Sequence, residues 1–382
     1  MGWSGEHLAG VSVQPVDSPG DVEQYIRFPF ELYRGFPHWV PPLLMERRDF
    51  LNPRKNPVYE YAEVQPFLAR RGSSVVGTIT ALRNPRFGEF HPREGHIGFF
   101  GLYECERDVE TSRALFTAAA EWLESRGLSV MRGPTNFTTN DVLGLLVEGF
   151  DEDPAILMPY NPPYYAQQFD AFGLSKVKDL FALEVSADEY RGQLEPLARK
   201  VLLRGRVTVR PVDLKRWHEE LAFVRHCYNE AWADNWGFVP WTDRELEVLA
   251  KELKPLIDPR LALVGEVDGE SAAILIAVPD ANEALKLARG LLFPFGLIKI
   301  LWRLKVAGCQ RVRVLALGVL PKYRRLGLDG LLIQRTIENG VPLGYRRAEV
   351  GWILEDNEAI LQPLTHIDAR RTKVYRIYDR AL

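Results

Sequence analysis

The chain has 382 residues, 46% of them hydrophobic and 26% charged, and a net charge of -3. These values suit a globular protein of two or three domains and exclude a broadly basic surface, so no nucleic-acid partner is expected. Three cysteines, Cys105, Cys227 and Cys309, stand far apart. They give neither a metal spacing nor a disulfide framework, which sets aside a metal cofactor and makes a reducing cytoplasm the default. The opening MGWSGEHLAG lacks the basic start and apolar run of a secretion signal. No stretch supplies the roughly 20 clean apolar residues of a spanning helix.

An internal repeat comes first in chain order. VSVQPV, Val11 to Val16, is matched by VTVRPV, Val207 to Val212, and an aspartate follows each string, Asp17 and Asp213. Each copy then runs through a helical stretch into an aromatic-Val-Pro element: Trp39, Val40 and Pro41 in the first, Phe238, Val239 and Pro240 in the second. Two strands across a turn follow, bending at Gly72 in one copy and at Asp268–Gly269 in the other. FDAFGLSKVKDLFALEV and THIDARRTKVYRIYDR close the two copies. The reading is of two copies of one α+β unit in the order β-α-α-β-β-β-α-β-α-β. Residues 1–190 would form one domain, 191–206 a charged, helical-looking linker, and 207–382 the other domain.

Three stretches stand apart from the repeat. GPTNFTTND, Gly133 to Asp141, reads either as a turn with a helix cap or as the lining of a polar pocket. MPYNPPYY, Met158 to Tyr165, reads as a rigid loop, placed against the other domain. Between the third and fourth strands of the second copy lies ARGLLFPFGLIKILWRLKV, Ala288 to Val306. Three readings stay open for it: a buried helix, an acyl-chain groove, or a segment dipping into a membrane surface. In the last, Arg289, Lys299, Arg303 and Lys305 would meet the head groups.

The most informative stretch is Val314 to Asn357. A β-branched strand, Val312 to Val319, is broken by Pro321. A basic turn with Lys322, Arg324 and Arg325 follows, and from Gly327 apolar residues recur at helical spacing. A strand feeding a basic, glycine-bearing turn at a helix N-terminus is a physical anion site, because free N–H groups and the helix dipole favour negative charge. The turn is neither GxxxxGK[ST] nor GxGxxG. The equivalent turn of the first copy, ECERDVE after Tyr103, is acidic and has no glycine. It would repel a phosphate while suiting the start of a helix.

The basic turn resembles the pyrophosphate loop of the GNAT acyltransferase superfamily, [QR]xxGx[GA]. Arg324 and Gly327 match its first and fourth positions. Asp329 stands where the family has Gly or Ala, with Gly330 next, and a carboxylate there would repel a pyrophosphate. The resemblance extends to WILEDNEAI, where Asn357 opens a helix after the next strand. It implies two tandem GNAT-like acyl-CoA N-acyltransferase domains, the first without a cofactor loop. Acyl-CoA, or an acyl carrier protein, would be the donor and a primary amine the acceptor. Leu317, Gly318 and Val319 would pair with the pantetheine arm, and Arg324, Arg325, Leu326, Gly327, Leu328, Asp329 and Gly330 would face the pyrophosphate. Asn357 would touch the cofactor or order a water.

Proton carriers are less marked. Seven residues after the Asn, where many members carry an acidic Tyr, this chain has Leu364. Tyr323, Tyr375 or His366 would then serve as acid, and Glu230, Asp234, Glu349 or Glu355 as base. Asp234, Asn235 and Trp236 fall where the family's acceptor pocket forms, with interface packing as the other reading for Asn235 and Trp236. The overall plan is similar to that of the bacterial ceramide synthases, which acylate a sphingoid amine. The apolar stretch points the same way, towards a long acyl chain, a lipid-like amine and peripheral contact with the inner face of a membrane through 288–306. The rival readings are a non-catalytic acyl-CoA or lipid-binding module and a Fem-like transferase using aminoacyl-tRNA.

Overall fold

A computed structural model describes residues 10–382. The opening residues, read above as unlike a secretion signal, lie outside them. In chain order the elements are β1 (Val11–Pro15), α1 (Pro19–Leu32), α2 (Leu44–Phe50), β2 (Glu63–Arg71), β3 (Ser74–Arg83), α3 (Pro85–Phe90), β4 (Ile97–Cys105), α4 (Val109–Glu124), β5 (Val130–Gly133), β6 (Leu145–Glu148), α5 (Tyr165–Ala171) and β7 (Ser175–Ser186). There follow α6 (Glu195–Leu203), β8 (Val207–Pro211), α7 (Trp217–Ala231), α8 (Asp243–Leu253), β9 (Ala262–Val267), β10 (Glu270–Pro279), α9 (Asn282–Ala288), α10 (Gly296–Trp302), β11 (Arg311–Val319), α11 (Leu328–Gly340), β12 (Arg347–Leu354), α12 (Glu358–His366) and β13 (Arg370–Ala381). Both copies show the expected element order, with α3 and β6 added in the first and α9 and α10 in the second.

The chain divides into two compact units that do not follow the halves of the sequence. Unit 1 is residues up to Asp179 with Ala288–Gly296 and Val374–Leu382; unit 2 is Leu180–Leu287 with Leu297–Lys373. The boundaries expected above, 1–190 and 207–382, therefore do not match these units. The reason lies in the closing strands. In unit 1, β5 takes the chain's last strand as its antiparallel partner, Gly133 opposite Tyr378. In unit 2, β12 pairs with β7, Val350 opposite Leu183. Each copy thus closes on the final strand of the other copy. The segment 191–206 is not a linker either. Ala198 and Val201 of α6 are buried in the core of unit 2 with Leu328, Leu331 and Leu332 of α11.

Local chemistry sets these elements. The β9–β10 hairpin turns through Asp268 and Gly269, both with positive φ, the conformation that fits a tight turn to twisted strands. Thr242 and Glu245 form a reciprocal capping box at the start of α8. In unit 1, α4 buries Leu115, Phe116, Ala119 and Leu123 against the sheet, with Phe67, Ile79 and Phe100 in the same core. In unit 2, α11 does the same with Leu328, Leu331 and Leu332 against Leu263, Leu275 and Val312. Burying a side chain of this kind contributes about 1.5–3 kcal/mol, so each crossover helix is anchored far beyond its intrinsic propensity.

The other stretches resolve differently. GPTNFTTND is a turn: Thr135 bridges Leu143, and the Thr138 hydroxyl bonds Asp141 at 3.0 Å. MPYNPPYY packs within its own unit, where the Asn161 side chain accepts from Leu146 N at 2.7 Å and donates to Leu146 O at 3.1 Å. The segment 288–306 is not a buried helix, since Phe293, Ile298 and Val306 are 74%, 63% and 74% exposed.

Candidate acyl-transfer site

The site begins where two parallel strands part. β11 and β12 pair from Arg311↔Arg347 to Val314↔Val350 and no further. Both strands bulge at that point. On β11 the register against β10 skips Leu315, and on β12 the register against β7 slips between Val350 and Ile353. A bulge adds a residue on one side of a ladder and turns the strand, so paired bulges drive the strands apart. Among the described residues no strand covers the β12-facing edge of Leu315–Val319. On the α7 side, Gly318 leaves room for the Trp232 ring, which a Cβ there would meet at 2.5 Å. Cys227 Sγ lies 3.6 Å from Gly318 O.

Beyond the gap the chain enters the basic turn. Arg325 and Gly327 both have positive φ, at 68° and 81°. These left-handed residues bend the turn so that α11 starts at Leu328. Gly327 is the N-cap and offers no side-chain cap, which leaves the first N–H groups of α11 without an internal acceptor. The Arg324 guanidinium donates to Ala231 O at 3.1 Å, the last carbonyl of α7, and so ties the turn to that helix. Asp329 lies in the first turn of α11, where a carboxylate suits the dipole. Gly330 is buried, and a Cβ there would meet Leu197 of α6 at 2.6 Å. Its missing side chain therefore lets α6 pack close.

Of the candidate acids and bases, Glu230 and Tyr323 come together and Glu355 does not join them. Glu230 of α7 and Tyr323 of the turn line one recess of about 370 Å³ with His226, Glu270 and Lys322. Tyr323 is buried and its hydroxyl bonds Glu270. That bond, with Lys322 beside it, holds Glu270 below the usual carboxylate range. Glu355 follows β12 directly, away from this recess's lining. Asn357 is the N-cap of α12 without a side-chain cap bond, so its amide is not spent on the helix. Asp234, Asn235 and Trp236 lie in the loop after α7, where Asn235 N–H donates to Trp232 O at 2.8 Å. Beside them Tyr228 stacks between Trp232 and Trp241, with centroids at 4.4 and 3.9 Å.

Sequence reasoning offered Glu349 as a base and missed the buried charge cluster on β11 and β12 that encloses it. Arg311 is 5% exposed and bonds Asp280 at 2.8 Å. Glu349, 1% exposed, has Oε2 3.8 Å from both Arg311 and Lys373. Arg313 donates to Gly351 O at 3.2 Å, beside the β12 bulge. The string RVRV gives the only signal, and alternation alone reads as a solvent-facing edge. All three thiols are buried, which pushes each up to about 12. No thiolate nucleophile is then available near neutral pH.

Unit 1 has the same parting strands, and its own side chains fill the gap. β4 and β5 pair only from Ile97↔Val130 to Phe99↔Arg132. Beyond that, Thr135 N donates to Phe100 O at 2.8 Å and Leu102 N to Asn136 Oδ1 at 3.0 Å. Cys105 N donates to the Tyr165 hydroxyl, and the Tyr164 hydroxyl donates to Cys105 O, both at 2.8 Å. The helix that follows is capped by the Asp108 carboxylate, which accepts from Glu110 N and Thr111 N. Groups along the strand edge and at the helix start are thus bonded within unit 1 itself.

No protein-family model matches the chain. It is 39% identical over 382 residues to the bacterial ceramide synthase of Caulobacter vibrioides, covering 98% of both chains. It is 35% identical over 374 residues to protein YghO of Escherichia coli K12, covering 95% of this chain and 93% of that one. Among solved structures, a tandem GNAT protein from the clavulanic acid biosynthesis pathway aligns with TM-score 0.56 at 12% identity, over 97% of this chain and 98% of that one. A GCN5-related N-acetyltransferase from Sphaerobacter thermophilus aligns with TM-score 0.53 at 12% identity, over 98% and 96%. The fold is thus a tandem GNAT fold, and the chain is an acyltransferase belonging to the family of the bacterial ceramide synthase.

Proposed function

We propose that unit 2 transfers an acyl group from acyl-CoA to the primary amine of a lipid-like acceptor such as a sphingoid base. The observation that carries this reading is the coincidence of two open features, an uncovered strand edge at Leu315–Val319 and an uncapped helix start at Leu328. The pantetheine amides would pair with the backbone of Leu317, Gly318 and Val319. The N–H groups from Arg325 to Gly330 would hold the phosphates, with Arg324 anchoring their turn, and Asn357 would contact the cofactor. An acyl carrier protein would present the same pantetheine arm.

The amine nitrogen attacks the thioester carbonyl, the C–N bond forms and the C–S bond breaks. The incoming ammonium loses one proton before attack, the nitrogen sheds a second as the adduct collapses to the amide, and the leaving thiolate gains one. Glu230 would take the first, Tyr323 would protonate the thiolate, and the second nitrogen proton would restore Tyr323; Glu355 is the alternative base. Asp234, Asn235 and Trp236 would position the acceptor, next to the Tyr228–Trp232–Trp241 stack. A strand N–H near Leu317 would polarise the carbonyl. Segment 288–306 would meet the lipid surface from which such an acceptor comes.

The test is transfer of labelled acyl groups of increasing length from CoA to sphinganine by the purified chain. Amide product that grows with chain length supports the reading. CoA binding without product from any lipid amine would overturn it. Glu230→Gln should lower kcat about 100-fold or more with acyl-CoA affinity unchanged; an unchanged kcat would move the base to Glu355.

A further inference from the structure

Helix α10 wears its apolar face outward. Leu297, Ile298, Leu301 and Trp302 are 39%, 63%, 48% and 54% exposed, whereas Ile300 is 9%. Their spacing places them on one stripe of the helix. The π-helical turn Arg303–Ala307 continues it with Val306. An ordinary surface helix turns such a stripe to the core, so this face is made to be covered.

What covers it is indicated by charge. Between Ala288 and Ala307 the chain carries Arg289, Lys299, Arg303 and Lys305 and no acidic residue. Arg303 is engaged by Glu283 within unit 2 and Lys305 lies within electrostatic reach of Asp258, while Lys299 and Lys305 are exposed on the stripe's surroundings. The cores of protein interfaces are depleted in lysine. Exposed large apolar side chains, a tryptophan and lysines with no acid among them are instead the chemistry of an interfacial helix on an anionic bilayer. Immediately before α10 in the chain, Leu291, Phe293 and Phe295 are also exposed. No described helix is long and apolar enough to cross a membrane, so the contact is with the surface.

We infer that the face formed by Leu297, Ile298, Leu301, Trp302 and Val306 docks on a phospholipid bilayer carrying anionic head groups. The inference deepens the lipid-amine reading of the site, since an acceptor dissolved in the bilayer would be held beside the enzyme. The docking itself is measurable without turnover.

The experiment is flotation of the full chain with vesicles of phosphatidylcholine alone or mixed with phosphatidylglycerol. The chain should float with the mixed vesicles. Ile298→Glu combined with Leu301→Glu should weaken vesicle binding by about tenfold or more, because two charges replace buried apolar surface. Lys299→Glu combined with Lys305→Glu should remove the preference for the anionic vesicles. Brominated lipid should quench part of the tryptophan emission, and that part should vanish in Trp302→Phe. Acyl-CoA affinity without vesicles should be the same in every variant, which excludes misfolding. A wild-type chain that stays out of the floated fraction would overturn the inference. So would concentration-dependent self-association, abolished by the Ile298→Glu/Leu301→Glu variant and with no vesicle binding, because a second copy would then be the occupant. Transfer to a detergent-dispersed lipid amine reports the proposed function separately, so either can fail alone.

Discussion

The two units pose one problem and solve it in opposite ways. In each, a strand runs beyond its parallel partner and leads to a crossover helix, which leaves backbone groups along the strand edge and at the helix start. Such groups must be satisfied by protein, water or ligand. Unit 1 satisfies them with Asn136, Tyr164 and Tyr165 along β4 and with Asp108 at α4. Unit 2 has Leu315–Val319 uncovered by any described strand and a glycine at the start of α11. A few side chains therefore separate a closed scaffold from an open cleft on the same backbone plan.

The comparison breaks most sharply if the open unit is closed in the manner of the other. Gly327→Asp puts a carboxylate at the start of α11, where Asp108 stands at α4; at φ 81°, against -142° for Asp108, it adds charge and backbone strain rather than the same cap. A side chain at 327 would meet Val201 Cγ2 at 2.9 Å, so the change belongs in a Val201→Ala background. Relative to Val201→Ala alone, CoA affinity should fall at least about tenfold, since a charge about 4 Å from a phosphate costs about 1–4 kcal/mol. Calorimetry with an unchanged circular dichroism spectrum is the check; retained affinity would detach the phosphates from this helix.

A second prediction concerns the closure of unit 1. Glu104 accepts from the Tyr33 and Tyr165 hydroxyls at 2.7 and 2.8 Å. Burial raises its pKa from 4.5 to about 7. The folded chain then holds a proton that the unfolded chain gives up. The stability from this group is complete below about pH 4.5, declines as pH rises and is lost by about pH 7. Glu104→Gln, which cannot ionise, should flatten the pH dependence of Tm across that window. An identical profile in the variant would show that Glu104 ionises normally.

The smallest expected effect is Asp108→Ala. Losing this cap should cost about 1 kcal/mol of stability, read from denaturant midpoints, and leave CoA affinity untouched. A drop in affinity would mean that unit 1 contributes to binding.

Much of this was legible in the sequence because it is local. VSVQPV and VTVRPV mark the repeat, and the basic turn at Arg324–Gly327 against the acidic one at Glu104–Glu110 separates the copies. Strand exchange was not legible: β7 and β13 occupy equivalent places in the two copies, and nothing in either string says which parallel strand it joins. The helix α6 with its N-cap carries apolar residues at Leu194, Ala198 and Val201, a helical spacing overshadowed by its charges. Periodicity also gives a stripe without its direction. That is why 288–306 left a buried helix, an acyl-chain groove and a membrane face all open, and why RVRV concealed two buried arginines.

The most direct test of the account is an acyl-CoA titration of the full chain followed by hydrogen exchange on the saturated complex. The account predicts one acyl-CoA per chain, with amide protection gained along residues 315–331 and none along 100–111. Two molecules per chain, or protection along 100–111, would contradict the assignment of unit 1 as closed and unit 2 as the site.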